Sequence, residues 1–342
     1  MDLVIESKRE TIIVPNALSI PGLSFRRFRS ESDFPIMAEV MQKSRDADVV
    51  DTVETAKDIS GEYKHLVNCD PRKDMLFAEI GGETVGFTRC QWRTAADGTR
   101  VYEQWVHLVP ELRGHGLRHA MLRWNERRIR EMDQEHPTHA KKVMEVGAPW
   151  VENHLKSLIE EEGYRPHKYS LVLVRPNLED IPQLPIPEGV EVRPAKPEHH
   201  MLIWKAEGEA LREQAFYDEE MWSEEGLKAF SGWYNWQPDL WQVAWAGDEV
   251  VGAVLPWIDN EENERYHRNW GHTEAIFVRK GWRNRGLASA LIARAMGVVR
   301  DHGASQAVLN VDSENPSGAL RLYEKLGYRL HARYAQYRKP LD

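Results

Sequence analysis

IFVRKGWRNRGLAS, residues 276–289, is the stretch that decides the fold of this chain. It begins as an alternating strand, turns at Gly286, and continues into apolar residues at helical spacing as far as His302. A helix that starts beside a glycine presents free backbone N–H groups, which favour an anion such as a pyrophosphate. The alternative is a plain strand-to-helix turn, since the stretch matches neither a Walker loop nor a full dinucleotide fingerprint.

The same layout occurs once more, roughly 165–170 residues earlier. LVPELRGHGL, residues 108–117, matches VRKGWRNRGL, residues 278–287, and the hairpin at 76–87 matches the hairpin at 242–253. EGYR at 162–165 corresponds to LGYR at 326–329. Three matched features in the same order predict two copies of one domain.

A proline-rich segment separates the two copies. Residues 175–189, RPNLEDIPQLPIPEG, contain four prolines, which resist both a helix and a central strand. We therefore expect a semi-rigid linker, with a domain boundary between residues 182 and 183. Each copy mixes strands and helices, which predicts an α/β or α+β sheet domain.

Length and composition agree with a globular chain of two domains. The 342 residues are 42% hydrophobic and 29% charged, and domains usually run about 100–200 residues. The net charge of −9 argues against nucleic acid as a partner. We expect no membrane partner and a cytoplasmic location, because the longest weakly polar stretch contains Arg294 and no secretory signal is visible. Cys69 and Cys90 match no metal spacing, so we expect no metal.

Two motifs in the second copy resemble those of the GNAT acyl-CoA N-acyltransferases. Arg283-x-x-Gly286-x-Ala288 is similar to that family's Gln/Arg-x-x-Gly-x-Gly/Ala signature. NPSGALRLYEKLGY, residues 315–328, resembles its later segment, in which an Asn precedes a Leu-Tyr pair and a Gly-aromatic end. The repeat extends the resemblance over nearly the whole chain, in a layout similar to tandem GNAT proteins such as mycothiol synthases.

The resemblance implies a fold, a domain organisation and a reaction. The fold class is α/β (α+β), with two tandem GNAT-like domains, each a mixed, mostly antiparallel sheet flanked by helices. Residues 1–182 would form a degenerate N-terminal domain, and residues 183–342 a catalytic C-terminal domain. The reaction would transfer an acetyl group from acetyl-CoA, as co-substrate, to a primary amine of a small molecule. The oligomeric state is not indicated.

The resemblance also implies where the coenzyme is held. Backbone groups of Ile276, Phe277 and Val278 would hold the pantetheine arm and polarise the thioester carbonyl. The pyrophosphate would lie on the loop formed by Arg283, Asn284, Arg285, Gly286, Leu287 and Ala288. Asn315 would hydrogen-bond the coenzyme, and it is also well placed to cap the following helix before Pro316.

Two side chains are the expected catalytic groups. Tyr323 matches the family tyrosine and would act as the acid, because a phenol can donate a proton to the departing sulfur. Glu274 would act as the base, since many family members use a glutamate on this strand. His272 shares its strand face at period two and is the rival base. The alternatives are a structural tyrosine, a surface carboxylate and a packed histidine. Asn310, on the next strand, cannot accept a proton usefully.

The first copy departs from the pattern at the same positions. Arg118 stands where a small residue is expected, Ile159 aligns with Tyr323, and Gln104 aligns with Glu274. We therefore expect the first copy to be non-catalytic, although it could still bind a coenzyme.

The acceptor is open at this stage. An acidic helical region could be a solvated face or a rim for a cationic amine that packs on tryptophan; it comprises Glu207, Glu209, Glu213, Asp218, Glu219 and Glu220, with Trp233, Trp236 and Trp241. One alternative function is a non-catalytic acyl-CoA-binding regulatory protein. Another is an acetyltransferase that acts on a protein or on a mycothiol-type precursor.

Overall fold

The computed structural model describes residues 12, 14, 20–48, 50, 53–64, 66–95, 97–136, 141–212, 221–232, 235–313 and 318–341. Among these residues, no helix is both long and apolar enough to cross a membrane. Nor do the described residues bring three His, Cys, Asp or Glu side chains together as a metal site would require.

The first copy contains six strands and five helices within its described part. In chain order they are β1 (Leu23–Arg26), α1 (Phe34–Asp48), α2 (Ala56–Tyr63), α3 (Pro71–Asp74), β2 (Met75–Ile80), β3 (Glu83–Thr94), β4 (Arg100–Leu108), α4 (Leu117–Gln134), β5 (Lys142–Pro149), α5 (Asn153–Glu161) and β6 (Arg165–Arg175). The β2–β3 hairpin is the one that the alternating pattern predicts at 76–87.

The second copy has a similar but not identical order over its described residues. Its elements are β7 (Glu191–Arg193), α6 (His200–Leu211), α7 (Glu224–Phe230), β8 (Gln242–Ala246), β9 (Glu249–Val254), α8 (Asn260–Arg265), β10 (Trp270–His272), β11 (Phe277–Val278), α9 (Leu287–Asp301), β12 (Gln306–Asp312), α10 (Ala319–Lys325) and β13 (Arg329–Pro340). The predicted β8–β9 hairpin and the predicted helix from Leu287 are confirmed.

The strands form two sheets. One has nine strands in the order β1-β2-β3-β4-β5-β13-β6-β12-β10, and the other has four in the order β11-β9-β8-β7. Neighbouring strands run antiparallel except for β4 with β5 and β10 with β12. The predicted fold class, a mixed and mostly antiparallel sheet flanked by helices, is confirmed.

The two copies exchange strands at the middle of the larger sheet. β13, from the end of the chain, lies between β5 and β6, and β6 lies between β13 and β12. Lys339 on β13 also reaches across, since its Nζ lies 3.0 Å from Oε1 of Glu126 on α4. Each copy therefore completes the sheet of the other. The boundary between residues 182 and 183 stays a prediction, and 176–190 contain neither helix nor strand.

Candidate active site

A break in one predicted strand opens the site. Residues 272–278 are expected to be one strand, but they form the end of β10 and all of β11, which belong to different sheets. The bond from Thr273 N–H to the Val308 carbonyl (2.8 Å) is the last backbone bond from this segment to β12, and Phe277 already pairs with Ala253 of β9. Between them Ala275 has a φ of +48°, so the chain bulges as it changes sheets. A gap is left between β11 and β12.

A buried tyrosine supports this break. The phenol of Tyr328 lies 2.5 Å from Oγ1 of Thr273, which in turn donates to the carbonyl of Val308 at 3.2 Å. Burial raises the pKa of Tyr328, so the phenol keeps its proton. The first copy has a similar hydrogen bond, because the phenol of Tyr164 accepts from Nε2 of Gln104 on β4 at 2.6 Å. The repeated Gly-Tyr pair is the sequence signal that could have revealed this role.

The loop before α9 has the backbone of an anion site. Asn284 and Gly286 both have positive φ, of +63° and +82°, and no side chain caps the helix. The helix begins with the bond from Ala290 N–H to the Gly286 carbonyl, at 3.1 Å. The N–H groups of its first turn therefore have no acceptor within the helix. They lie at the positive end of the helix dipole, which favours a bound anion.

The gap and the loop share one cavity of about 540 Å³. Eight of the ten expected coenzyme-binding residues line it, namely Ile276, Phe277, Val278, Arg283, Asn284, Gly286, Leu287 and Ala288. Two are not in the lining. Arg285 packs on Trp282, with its guanidinium carbon 4.8 Å from the ring centroid, and Asn315 lies outside the described residues. Sequence reasoning missed Trp282, Ala210 and Leu211 as part of this wall.

Arg283 holds the loop in place as well as adding charge. Its Nε donates to the carbonyl of Val278 at 3.1 Å, and its Nη2 donates to the carbonyl of Ala210 at 3.0 Å. The arginine thus joins the loop to β11 and to the end of α6. An expectation based on charge alone does not include this bracing role.

Tyr323 lies in the wall of the same cavity. Its side chain is buried, with 7% of the residue exposed. Burial, and after it the negative charge of Glu274, raises the pKa of Tyr323 to about 12. The phenol is therefore protonated at neutral pH and is a proton donor that faces the cavity.

Glu274 does not line the cavity, although Ile276, two residues further along the chain, does. Its Oε1 accepts a hydrogen bond of 2.6 Å from Nδ2 of Asn310, and its side chain is 26% exposed. Asn310 cannot act as a base, but this contact means that it orients the carboxylate. The negative charge of Glu274 raises the pKa of Tyr323, so the expected base and the expected acid lie close enough to interact.

His272, the rival base, is buried behind Glu274. Its ring stacks on Trp257 at 3.5 Å between centroids, and its Nδ1 lies 3.5 Å from Oε1 of Glu274. Burial alone would lower the pKa of His272, but the carboxylates of Glu262 and Glu274 outweigh burial and raise it. A histidine enclosed in this way is better suited to holding Glu274 than to receiving a proton from an acceptor.

In the corresponding loop of the first copy, side chains of the protein itself already bind some of the groups that could hold an anion. Gly114 and Gly116 have positive φ as in the second copy, of +80° and +75°. However, the N–H of Gly114 donates to Nε2 of His154 at 2.8 Å. Arg118 is buried and pairs with Glu152, directly behind the loop. One loop N–H and the Arg118 guanidinium are thus already engaged, which supports the prediction that this copy is non-catalytic.

The acidic and tryptophan-rich region agrees only in part with the solvated-face interpretation where it is described. Glu209 is exposed and pairs with Arg279, but Glu207 is buried. Trp241 is buried in the core beside β8, and Trp236 packs against it at 4.7 Å. Trp233, Glu213, Asp218, Glu219 and Glu220 lie outside the described residues. The described tryptophans of the proposed rim therefore serve packing.

The buried carboxyl of Glu207 leads to a prediction about stability. Burial raises the pKa of Glu207 to about 8 from an ordinary 4.5, so the folded chain holds a proton that the unfolded chain releases. Unfolding therefore becomes easier as pH rises from 4.5 towards 8. Glu207→Gln should match the wild type below this range and exceed its free energy of unfolding above it, by several kcal/mol as an order of magnitude. Thermal melts over this pH range measure the difference in stability between Glu207→Gln and the wild type, and the exposed Glu198→Gln is the control. A difference that does not change with pH would contradict the prediction.

Comparisons with known proteins agree with this geometry. Residues 195–328 match the acetyltransferase (GNAT) family model. The chain is 30% identical over 189 residues to a mycothiol acetyltransferase of Salinispora arenicola, covering 54% of this chain and 59% of that protein. It is 25% identical over 180 residues to a mycothiol acetyltransferase of Corynebacterium efficiens, covering 41% and 57%. The chain thus spans less than two thirds of the length of these curated relatives.

Solved structures share the whole architecture. A GCN5-related N-acetyltransferase from Sphaerobacter thermophilus superposes with a TM-score of 0.68 at 23% identity, over 93% of this chain and 95% of that chain. A tandem GNAT protein from the clavulanic acid biosynthesis pathway superposes with a TM-score of 0.66 at 12% identity, over 93% and 98%. Residues 195–328 therefore match the GNAT acetyltransferase family model, and the chain as a whole has the fold of tandem GNAT proteins.

Proposed function

We propose that the chain is an N-acetyltransferase that moves an acetyl group from acetyl-CoA to a primary amine of a small molecule, and that the second copy does the chemistry. One observation carries this proposal. A single cavity joins an uncapped helix N-terminus, residues 276–278 and the protonated Tyr323, and Glu274 is close enough for its charge to raise the pKa of that phenol. This arrangement fits a ligand with a phosphate at one end and a reacting thioester at the other.

The two catalytic groups would divide the proton transfers between them. Acetyl-CoA supplies an activated acetyl group and is released as a thiol. Glu274 accepts a proton from the acceptor amine, directly or through one water, because an ammonium group has no lone pair with which to attack. As the new carbon–nitrogen bond forms and the carbon–sulfur bond breaks, Tyr323 Oη gives its proton to the sulfur. The nitrogen then loses its second proton, which restores the phenol directly or through one water. The net result is one amide, one neutral thiol and one proton, which Glu274 passes to solvent.

The acceptor is proposed as a small amine, with a mycothiol-type precursor as a second candidate. Two relatives are mycothiol acetyltransferases, which favours a cysteinyl sugar conjugate. A relative from Schizosaccharomyces pombe is N-alpha-acetyltransferase 30, 28% identical over 104 residues, which keeps a protein acceptor among the alternatives. A thiol-release assay with pooled amines, a synthetic cysteinyl sugar and a peptide with a free N-terminus separates these three. Release with none of them would favour a regulatory protein that only binds acyl-CoA.

Glu274→Gln tests the base within this proposal. The amide keeps the shape of the side chain but cannot accept a proton, so turnover should fall about 10²-fold or more while acetyl-CoA affinity is retained. Steady-state thiol release and calorimetric titration measure the two quantities. Glu188→Gln, at an exposed position in the linker, is the matched control. Unchanged turnover in Glu274→Gln would remove this carboxylate from the reaction and return His272 to consideration.

A further inference from the structure

A second cavity, of about 290 Å³, lies within the first copy, between helices α1 and α2 and strands β3 and β4. Its volume is near the lower end of the range for small-molecule sites. The wall is largely aromatic, with Tyr63, Phe87, Trp105 and His107 among its residues. Nothing in the reaction proposed for the second copy uses this cavity.

A buried arginine reaches into this cavity. Arg89 is 8% exposed and lines the cavity from β3. Its guanidinium carbon lies 4.5 Å from the ring centroid of Trp105 and 5.2 Å from that of Tyr63. Within the described part of the chain, its carboxylate partner is Glu62, at 2.7 Å from Nη1, and the Glu62 side chain is 36% exposed. A guanidinium carries five N–H donors, so one carboxylate does not exhaust it.

The other polar groups of the wall add no competing charge near Arg89. Burial lowers the pKa of His107 to about 3, so its ring is neutral and can both donate and accept. Burial raises the pKa of Tyr63, so its phenol also stays neutral. The second arginine of the wall, Arg45, is paired with Glu54 at 2.7 Å. Arg89 is therefore the positive group that meets the aromatic surface.

We propose that this cavity is a binding site for a small monocarboxylate with a flat or branched apolar body. The carboxylate would meet the guanidinium of Arg89, whose planar fork matches a carboxylate in two hydrogen bonds. The body would pack against Trp105, Phe87 and His107. A doubly charged phosphate fits less well, because Arg89 carries one positive charge and already shares it with the carboxylate of Glu62.

The site binds its ligand without modifying it. In the loop that would hold a coenzyme in this copy, the Gly114 N–H donates to His154 and Arg118 pairs with Glu152. The positions that align with Glu274 and Tyr323 carry Gln104 and Ile159, so this copy lacks the expected base and acid. The site is independent of the acetyl transfer proposed for the second copy, so either proposal can fail without the other.

Titration of the intact chain with matched probes tests the site. The probes are 3-phenylpropionate and 4-methylpentanoate as carboxylates, 3-phenylpropanamide as the uncharged analogue, and phenyl phosphate as the dianion. We expect saturable binding of at least one carboxylate at one site per chain, with the amide and the phosphate weaker by about tenfold or more. No saturable binding of either carboxylate at about 10 mM, or equal binding of the amide, would overturn the proposal.

Two variants test whether the carboxylate binds in this cavity. Arg89→Met removes the charge and should abolish carboxylate binding. Met41→Phe fills the cavity without removing the charge, and it should also abolish binding even if Arg89→Met fails to fold. Retained acetyl-CoA affinity and an unchanged melting profile show that each variant is folded. Carboxylate binding that survives in a folded Met41→Phe variant would contradict the location.

Discussion

Tyr323→Phe should lower the turnover of acetyl transfer by about 10²- to 10⁴-fold while leaving the affinity for acetyl-CoA nearly unchanged. The phenol is buried in the cavity wall, and its raised pKa keeps it protonated until the sulfur departs. Phenylalanine keeps the ring and its packing against Tyr328, 6.1 Å away between centroids, and removes only the donor. The loss should therefore be confined to the chemical step.

Tyr337→Phe is the matched control for this substitution. Tyr337, on β13, is also a buried tyrosine, and its phenol donates to Oε1 of Glu160 on α5 at 3.2 Å. It does not line the cavity that Tyr323 lines. Single-turnover thiol release measures the chemical step, and calorimetry measures acetyl-CoA affinity. Equal single-turnover rates in Tyr323→Phe and in the wild type would exclude the phenol as the acid.

Gly286→Glu should abolish acetyl-CoA binding. Gly286 has a φ of +82°, which side-chain-bearing residues rarely adopt, and it begins the helix whose first N–H groups would meet the pyrophosphate. A glutamate there strains the turn and brings a negative charge to the anion site. Because no neighbouring atom lies within 4 Å of an added Cβ, the effect comes from the backbone and the charge rather than from crowding of the core.

Gly116→Glu in the first copy is the matched control for this change. Gly116 has nearly the same φ, +75°, and also begins a helix. In its loop the Gly114 N–H already donates to His154 and Arg113 pairs with Glu152, so we expect the substitution to leave acetyl-CoA binding intact. The opposite pattern, with binding lost in Gly116→Glu and kept in Gly286→Glu, would assign the coenzyme to the first copy.

The sequence predicts the strand, loop and helix that line the coenzyme cavity better than it predicts the cavity itself. The Arg283–Ala288 loop is recognisable because glycine and helical spacing are local signals. The break at residues 273–276 is not, because alternation has the same period on both sides of a change of sheet and Ala275 carries no mark of its positive φ. Asn310 shows the same limit, since its contact with Glu274 depends on two strands brought together only by folding.

Long-range pairing explains the other differences. The exchange of β6 and β13 rests on registers between strands that lie about 165 residues apart in the chain, which no local pattern records. In the first copy, the hydrogen bond from the Gly114 N–H goes to His154, which lies 40 residues further along the chain. Glu207 is indistinguishable in sequence from its exposed acidic neighbours, and its burial follows from how α6 packs on the smaller sheet.

The central claim is that this chain has one working acetyl-CoA site, in its second copy. Titration of acetyl-CoA into the intact wild-type chain by isothermal calorimetry tests it most directly, because the stoichiometry counts the sites. We expect one molecule bound per chain. Two molecules per chain, or none, would contradict the claim.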